Sequence, residues 1–403
     1  MCTRVFNTPK LLYDKDGKYD KVDYKIKIKN THLVTGRNMD WPYPMDINIY
    51  HFKRGIDKIG FALDKANKWD AIPEQWTSKY DSICTYLKDE AACDGMNTEG
   101  LVANILYLSE SIYAKDEELK GKICLNVMAW VQYVVDMFSN VEEVCEAFKD
   151  NEITMVGALV PTSVGEPPKP AKVHLSVSDK LGQSAILEVI NGKIRINKSP
   201  EFRVMTNSPV YPQQIVVNQY WRYEWNKNNP SPSYTLPGTT SAPDRFARAS
   251  YFINNTIRFT TEHEAIVQMS SLMQAVAVPL GLRDIINGGD QISQTRYSSV
   301  FTHKSLCYFF RATTDYSFFG IPMEIFNGAS FQGLKLKKHY MNTEAMEESK
   351  KDKRIYNLDN GFNEYSGKLT FDDFEPVENI PFSIDYKMEE SDSLMMEEDN
   401  NIS

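Results

Sequence analysis

The chain opens Met1-Cys2-Thr3-Arg4. Loss of Met1 places a thiol and a free α-amine on one residue, a nucleophile together with its base. An ordinary thiol has a pKa of about 8.5 and an α-amine one of about 7.7–8.0. Near neutral pH part of that amine is unprotonated and able to take the thiol proton, as a histidine does in a conventional triad. The other cysteines, Cys84, Cys93, Cys124, Cys145 and Cys307, form no CxxC pair with Cys2 or with one another. The histidines show no HExxH or HxH spacing. Neither a zinc site nor a thioredoxin-like site is suggested, and free, mostly buried thiols are the expectation.

The elements around Cys2 must hold it at a fixed place. Cys2–Tyr13 reads as a first strand, followed by a turn at Asp14-Lys15-Asp16-Gly17. In residues 23–29, Tyr24, Ile26 and Ile28 alternate with Lys25, Lys27 and Lys29. That period of two predicts a half-buried strand, with Cys2 at the end of a sheet. Residues 124–138 carry apolar side chains at helical spacing, and Val141–Phe148 predicts a second short helix. Asn191-Gly192 between two apolar runs is a two-residue hairpin signal, and 297–312 reads as another strand pair. Pro243–Arg258 reads as a helix, and 164–171 and 226–233 as surface loops. Antiparallel groups of strands with helices between them favour an α+β or layered αββα class over a βαβ repeat.

Composition narrows the function classes. The 403 residues are 42% hydrophobic and 25% charged, with a net charge of −9; this is ordinary globular composition. No basic stripe is present, so nucleic acid is not an expected partner. No stretch approaches the length of a membrane span, and residues 1–30 lack the apolar core of a secretory signal. The expectation is a cytoplasmic protein with no membrane partner.

Four short blocks stand out beside the cysteine: Gly36-Arg37-Asn38-Met39-Asp40-Trp41, Cys93-Asp94-Gly95-Met96-Asn97-Thr98-Glu99-Gly100-Leu101, Met205-Thr206-Asn207-Ser208-Pro209, and Asp244-Arg245-Phe246. With the N-terminal block they resemble, in order, the choloylglycine hydrolase family of bile salt hydrolases and penicillin V acylases. Arg4, Trp41, Asn48-Ile49-Tyr50 and Arg54-Gly55 look more like its Gram-negative-type branch. The resemblance, from Cys2 to about Lys338, implies the N-terminal nucleophile fold, a four-layered αββα sandwich. It implies hydrolysis of a linear amide in an N-acylated small molecule, with no metal or organic cofactor, and a possible homo-oligomer.

By that resemblance Cys2 attacks the amide carbonyl and its own amine carries the proton. Arg37 sits near the sulfur, Asp40 orients the amine, Asn207 helps hold the tetrahedral oxyanion, and Arg245 supports the charge network. A preorganised oxyanion donor contributes about 3–4 kcal/mol in hydrolases. Each has a plainer role open to it: a structural salt bridge for Arg37, a turn or cap for Asp40, a turn for Asn207, a helix-face charge for Arg245. Tyr107 occupies a position where the acylases carry tyrosine and the bile salt hydrolases asparagine, and its main-chain N–H suits an oxyanion; a core tyrosine is the alternative. Trp41 either lines the acyl pocket or packs in the core. Asp94-Gly95-Met96-Asn97 reads as a turn that holds a strand in place.

The domain is expected over 2–340, with a C-terminal extension at 341–384 and an acidic, disordered tail at 385–403. The segment from Cys2 to Gly36 is longer than the family's usual hairpin, with a charged insertion around Asp14–Lys27. The substrate types implied are penicillin V, conjugated bile salts and N-acyl homoserine lactones. Two other classes stay open: a non-catalytic small-molecule binding protein on the same fold, and a thiol redox protein, which lacks a resolving cysteine near Cys2.

Overall fold

The computed structural model describes residues 1–9, 20–43, 45–61, 63–160, 168–227, 236–257, 260–282, 292–314, 318–337 and 367–384. Two large sheets lie face to face. The first has seven strands in the order Val204–Met205, Cys2–Phe6, Val34–Trp41, Gln294–Thr302, Cys307–Ala312, Phe319–Pro322 and Gly367–Lys368. The second has nine, in the order Lys193–Lys198, Ser184–Ile190, Val173–Ser178, Val102–Tyr107, Ala91–Asn97, Ser82–Leu87, Ile47–Phe52, Gly333–Leu336 and Phe374–Pro376.

Strand alternation assigns the faces. In the first sheet Cys2, Arg4 and Phe6 pair with Met39, Arg37 and Thr35, and these side chains point at the second sheet. There Thr35 Oγ1 meets Ser178 Oγ at 2.9 Å and Arg37 meets Asp94 at 2.9 Å. The opposite face carries Gly36 and Asn38. A Cβ on Gly36 would lie 2.6 Å from Met269 Cγ, so glycine lets the helix Glu262–Ala275 pack directly on the strand. Asn38 Nδ2 also donates to Met273 O at 2.7 Å. On the far side of the second sheet lies the helix Trp130–Met137, tied down by Asn97 Nδ2 donating to Val135 O at 2.8 Å. The layers are therefore helix, sheet, sheet, helix, as expected.

Several local expectations hold. Ser184–Ile190 and Lys193–Lys198 form the hairpin, with positive φ at Asn191 (52°) and Gly192 (71°), as a two-residue turn of this hand demands. The pair at 297–312 forms as Gln294–Thr302 and Cys307–Ala312, and the helices form as Val141–Phe148 and Ala242–Asn255. All six cysteines are free and buried.

Others are corrected. Residues 23–29 are not a strand but most of the helix Lys21–Lys29. Asp20 caps it, accepting from Val22 N at 2.7 Å and Asp23 N at 3.1 Å, and Lys27 pairs with Asp23 one turn earlier at 2.6 Å. Alternating apolar residues also place Tyr24 and Ile28 one helical turn apart, and only these two are buried, while Ile26 is exposed; the cap decides between the two periods. The apolar run at 124–138 divides into a strand, Ile123–Asn126, and the helix Trp130–Met137. The break follows Asn126, whose side chain accepts from Met128 N at 2.8 Å. Asp94–Asn97 lies within the strand Ala91–Asn97 rather than in a turn.

The first strand ends at Phe6, and the turn expected at Asp14-Lys15-Asp16-Gly17 lies outside the described residues, as does the tail 385–403. Of the expected loops, residues 161–167 and 228–235 also lie outside them; Lys169–Pro170 pairs with Leu159–Val160, and Asn226-Lys227 ends the helix Tyr211–Lys227. Beyond 340 the described residues begin at 367, and Gly367–Lys368 and Phe374–Pro376 add edge strands to the first and second sheets. No helix among the described residues is long and apolar enough to cross a membrane.

Candidate active site

Cys2 is in the strand Cys2–Phe6, held between Val34–Trp41 on one side and the short strand Val204–Met205 on the other. Its side chain is 3% exposed. The sulfur points between the sheets and meets Met39 Sδ at 3.6 Å. Met1 prolongs the ladder by one residue: Asp40 N donates to Met1 O at 2.8 Å, and the Met1 amine donates to Asp40 O at 2.9 Å. Burial pushes that amine below its ordinary value, and Arg245 and Arg37 act the same way against Cys2 and Asp40.

The backbone N–H of Cys2 donates to Asn207 Oδ1 at 2.8 Å. Asn207 follows the strand Val204–Met205, which places its side chain beside the first residue of the neighbouring strand. Its Nδ2 donates to Tyr107 O at 2.7 Å, and among the described residues the second amide hydrogen has no acceptor. Gln214 holds the Asn207 main chain by donating to its carbonyl and to Pro209 O.

Arg245 comes from the helix Ala242–Asn255, which begins at the Ser241 cap with Pro243 in its first turn. Its guanidinium enters from the helix-facing side of the first sheet. Nη1 donates to Cys2 O at 2.6 Å and to Thr3 Oγ1, and Nη2 donates to Asn207 Oδ1 at 2.7 Å. Asp40 Oδ2 lies 3.6 Å from Nη1. Asp40 Oδ1 accepts from Thr295 Oγ1 at 2.6 Å. A bulge makes this register possible: Thr295 pairs with Asp40 and Tyr297 with Met39, with Arg296 extra between them. Burial raises the Asp40 pKa and lowers that of Arg245, and each opposes the shift in the other.

Arg37 lies two residues before Met39 on the inner face of the same strand. Nη1 donates to Asp94 Oδ2 at 2.9 Å and to the Tyr297 hydroxyl, and Nη2 reaches Met39 Sδ at 3.2 Å and Ile105 O at 3.1 Å. Burial works to lower the Arg37 pKa, but Asp94 and Tyr297 outweigh it and hold the value well above the ordinary one. Burial pushes the Tyr297 phenol up, so that it stays neutral and contributes a hydrogen bond. The guanidinium therefore reaches the thiol through Met39, in a chain Arg37–Met39–Cys2.

Cys2, Arg37, Asp40, Asn207 and Arg245 thus meet in one buried site, and Tyr107 joins it through its main chain. The Tyr107 side chain is 38% exposed, which excludes a core tyrosine. The Trp41 ring is half-buried and packs against the main core, and its carbonyl accepts from Arg296 Nε at 2.9 Å. Met39, Asp94, Thr295 and Tyr297 were not singled out for the site from sequence. Met39 and Asp94 stand in the motif blocks. The two-residue step from Arg37 to Met39, once that segment is taken as a strand, puts both on one face. Thr295 and Tyr297 depend on the bulge, which has no local sequence signal here.

The model of the family "linear amide C-N hydrolases, choloylglycine hydrolase family" matches residues 24–324. A penicillin V acylase of Pectobacterium atrosepticum is 33% identical over 315 residues, 73% of this chain and 78% of that protein. A bile salt hydrolase/transferase of Clostridium perfringens is 23% identical over 79% of this chain and 95% of its own. Among solved structures, penicillin V acylase from Agrobacterium tumefaciens superposes with a TM-score of 0.69 at 28% identity, covering 95% of this chain and 99% of that one.

Proposed function

The chain belongs to the choloylglycine hydrolase family of linear amide C–N hydrolases, and we propose that it cleaves N-acylated small molecules with Cys2 as the nucleophile. The observation that carries this is the bond from Cys2 N to Asn207 Oδ1 at 2.8 Å. Removal of Met1 converts that nitrogen into an amine already fixed at one side, with its lone pair free to take the thiol proton.

The thiolate attacks the amide carbonyl and a tetrahedral oxyanion forms. The second Asn207 amide hydrogen is one donor. The Tyr107 main chain supplies another. Leu108 N donates to Lys172 O on the neighbouring strand, so by alternation Tyr107 N–H and C=O both point to the opposite side. That is the side on which Tyr107 O takes the Asn207 amide. Collapse breaks the C–N bond, and the amine leaves with the proton from the Cys2 ammonium. Water then attacks the thioester, giving its proton to the same amine, and the free acid and thiol are restored.

Arg245 fixes the Cys2 carbonyl, Asn207 and Asp40 together, and so orients amine and oxyanion donor as one unit. Arg37 and the Cys2 thiol share Met39 Sδ as a common contact, at 3.2 and 3.6 Å, which fixes the guanidinium close to the nucleophile. The acylase relative is 33% identical to this chain and the bile salt hydrolase 23%, which favours an acylase-like substrate over a conjugated bile salt. Intact-mass measurement, with product release from penicillin V and from a glycine-conjugated bile salt, tests the reading. The expected result is loss of Met1, release of acid and amine, and abolition of both reactions in Cys2→Ser. A Cys2→Ser protein as active as the parent would overturn the mechanism.

A further inference from the structure

Behind Asn207 lies a buried histidine–carboxylate pair that takes no part in the amide-hydrolase steps. His174 and Glu188 stand directly opposite each other on the strands Val173–Ser178 and Ser184–Ile190. Strand alternation puts both on the face toward the first sheet, the face from which Ser178 meets Thr35. His174 is 0% exposed and Glu188 2%. His174 Nε2 lies 3.0 Å from Thr206 O, the carbonyl of the peptide group that leads into Asn207. A carbonyl only accepts, so Nε2 carries the hydrogen and donates. Nδ1 then faces Glu188 Oε1 at 3.5 Å.

The same carboxylate reaches Asn207 by a second route. Glu188 Oε1 accepts from Tyr211 N at 2.7 Å, the first amide of the helix Tyr211–Lys227, and Oε2 accepts from Asn197 Nδ2 at 3.3 Å. A carboxylate suits the positive end of a helix dipole. One turn along that helix, Gln214 Oε1 accepts from Thr206 N at 3.3 Å and from Thr206 Oγ1 at 3.1 Å, and Nε2 donates to Asn207 O. His174 thus holds Thr206 O, Gln214 holds Thr206 N and Asn207 O, and both supports converge on Glu188. Asn207 needs such support, because its Oδ1 must meet Cys2 N and Arg245 while its Nδ2 meets Tyr107 O.

Resting on the amide-hydrolase reading above, we infer that His174 and Glu188 are positioning residues, which fix the Thr206–Asn207 main chain and so aim the Asn207 side chain at the Cys2 amine and the oxyanion. They touch no reacting atom and act through Asn207. Misplacing a group at a reacting centre by about 1 Å costs on the order of 100-fold in rate. His174→Leu leaves Thr206 O without its donor and should lower kcat by roughly 10- to 100-fold, with KM changed by less than about threefold. Glu188→Gln loosens both supports and should lower kcat by at least about tenfold.

The test is steady-state hydrolysis of penicillin V by the mature protein and its variants, with the folded fraction read by circular dichroism. His174→Gln, which keeps a side-chain N–H within reach of Thr206 O, should recover most of the kcat lost in His174→Leu. On an Asn207→Ala background, His174→Leu and Glu188→Gln should each lower kcat by less than about twofold further, because the group they aim is gone. A folded His174→Leu protein with the parent's kcat, or a loss of the same size with and without Asn207, would overturn the inference while the hydrolase reading stands. If His174→Leu does not fold, Glu188→Gln, which keeps an acceptor for Tyr211 N, decides by the same two comparisons. If the parent cleaves neither penicillin V nor a glycine-conjugated bile salt, the hydrolase reading itself fails and the inference goes with it.

Discussion

Asp94→Asn isolates the charge that keeps Arg37 inside the protein. Both side chains are fully buried and meet at 2.9 Å. The Asp94 carboxylate also accepts from Ser299 at 3.1 Å, Tyr297 at 3.2 Å and Tyr308 at 3.3 Å. Asparagine keeps the volume and one acceptor oxygen but removes the charge and turns an amide group toward hydroxyl donors. Breaking a buried ion pair from one side costs about 3–5 kcal/mol, because the remaining charge is left uncompensated. A domain's whole stability is only about 5–15 kcal/mol, so the variant should lose a large part of it. Urea unfolding followed by tryptophan fluorescence reads this as a lower midpoint at an unchanged slope. Replacing both residues, Arg37→Met with Asp94→Asn, should cost at least about 2 kcal/mol less than the sum of the single changes. Asp94→Asn within about 1 kcal/mol of the parent, with additive single changes, would refute the idea that Asp94 is what holds the guanidinium beside Met39 and Cys2.

Arg245→Gln should lower kcat by about 100-fold or more with little change in KM, because it unfixes Cys2 O and Asn207 Oδ1 together; steady-state kinetics on any cleaved amide checks this. Burial lowers the pKa of His303 to about 3 and that of His51 to about 4. Depressed folded values mean that stability is full above the unfolded value near 6.5 and is lost as pH falls toward 4 and then 3, at up to about 1.4 kcal/mol per pH unit for each residue. Urea midpoints should therefore drop between pH 7 and pH 5, and His303→Gln should flatten that drop. Gly100 has φ +74°, and a Cβ there would lie 2.2 Å from His303 O. Gly100→Ala should cost about 2–3 kcal/mol, seen as a lower melting temperature.

Local chemistry determined much of this protein before any fold was known. Cys2 behind a single methionine is a residue able to supply nucleophile and base together once Met1 is removed. Asn191-Gly192 states its hairpin because both residues tolerate positive φ. The motif blocks named Arg37, Asp40, Asn207 and Arg245, which the structure brings together around Cys2. The helix at Lys21–Lys29 was misread because Tyr24 and Ile28 satisfy both periods, and the Asp20 cap settled what the apolar pattern left ambiguous.

Tertiary structure alone decided how the parts meet. Asp94 belongs to Arg37 because two sheets face each other, a pairing across 57 residues that no local pattern encodes. Thr295 reaches Asp40 only through a bulge 255 residues away. Asn207 grips the Cys2 nitrogen because a two-residue strand pairs with the first strand of the chain. Sequence supplies the groups that can react. The distances that let them react come from strand register and the stacking of sheets, which are set by burial over the whole chain.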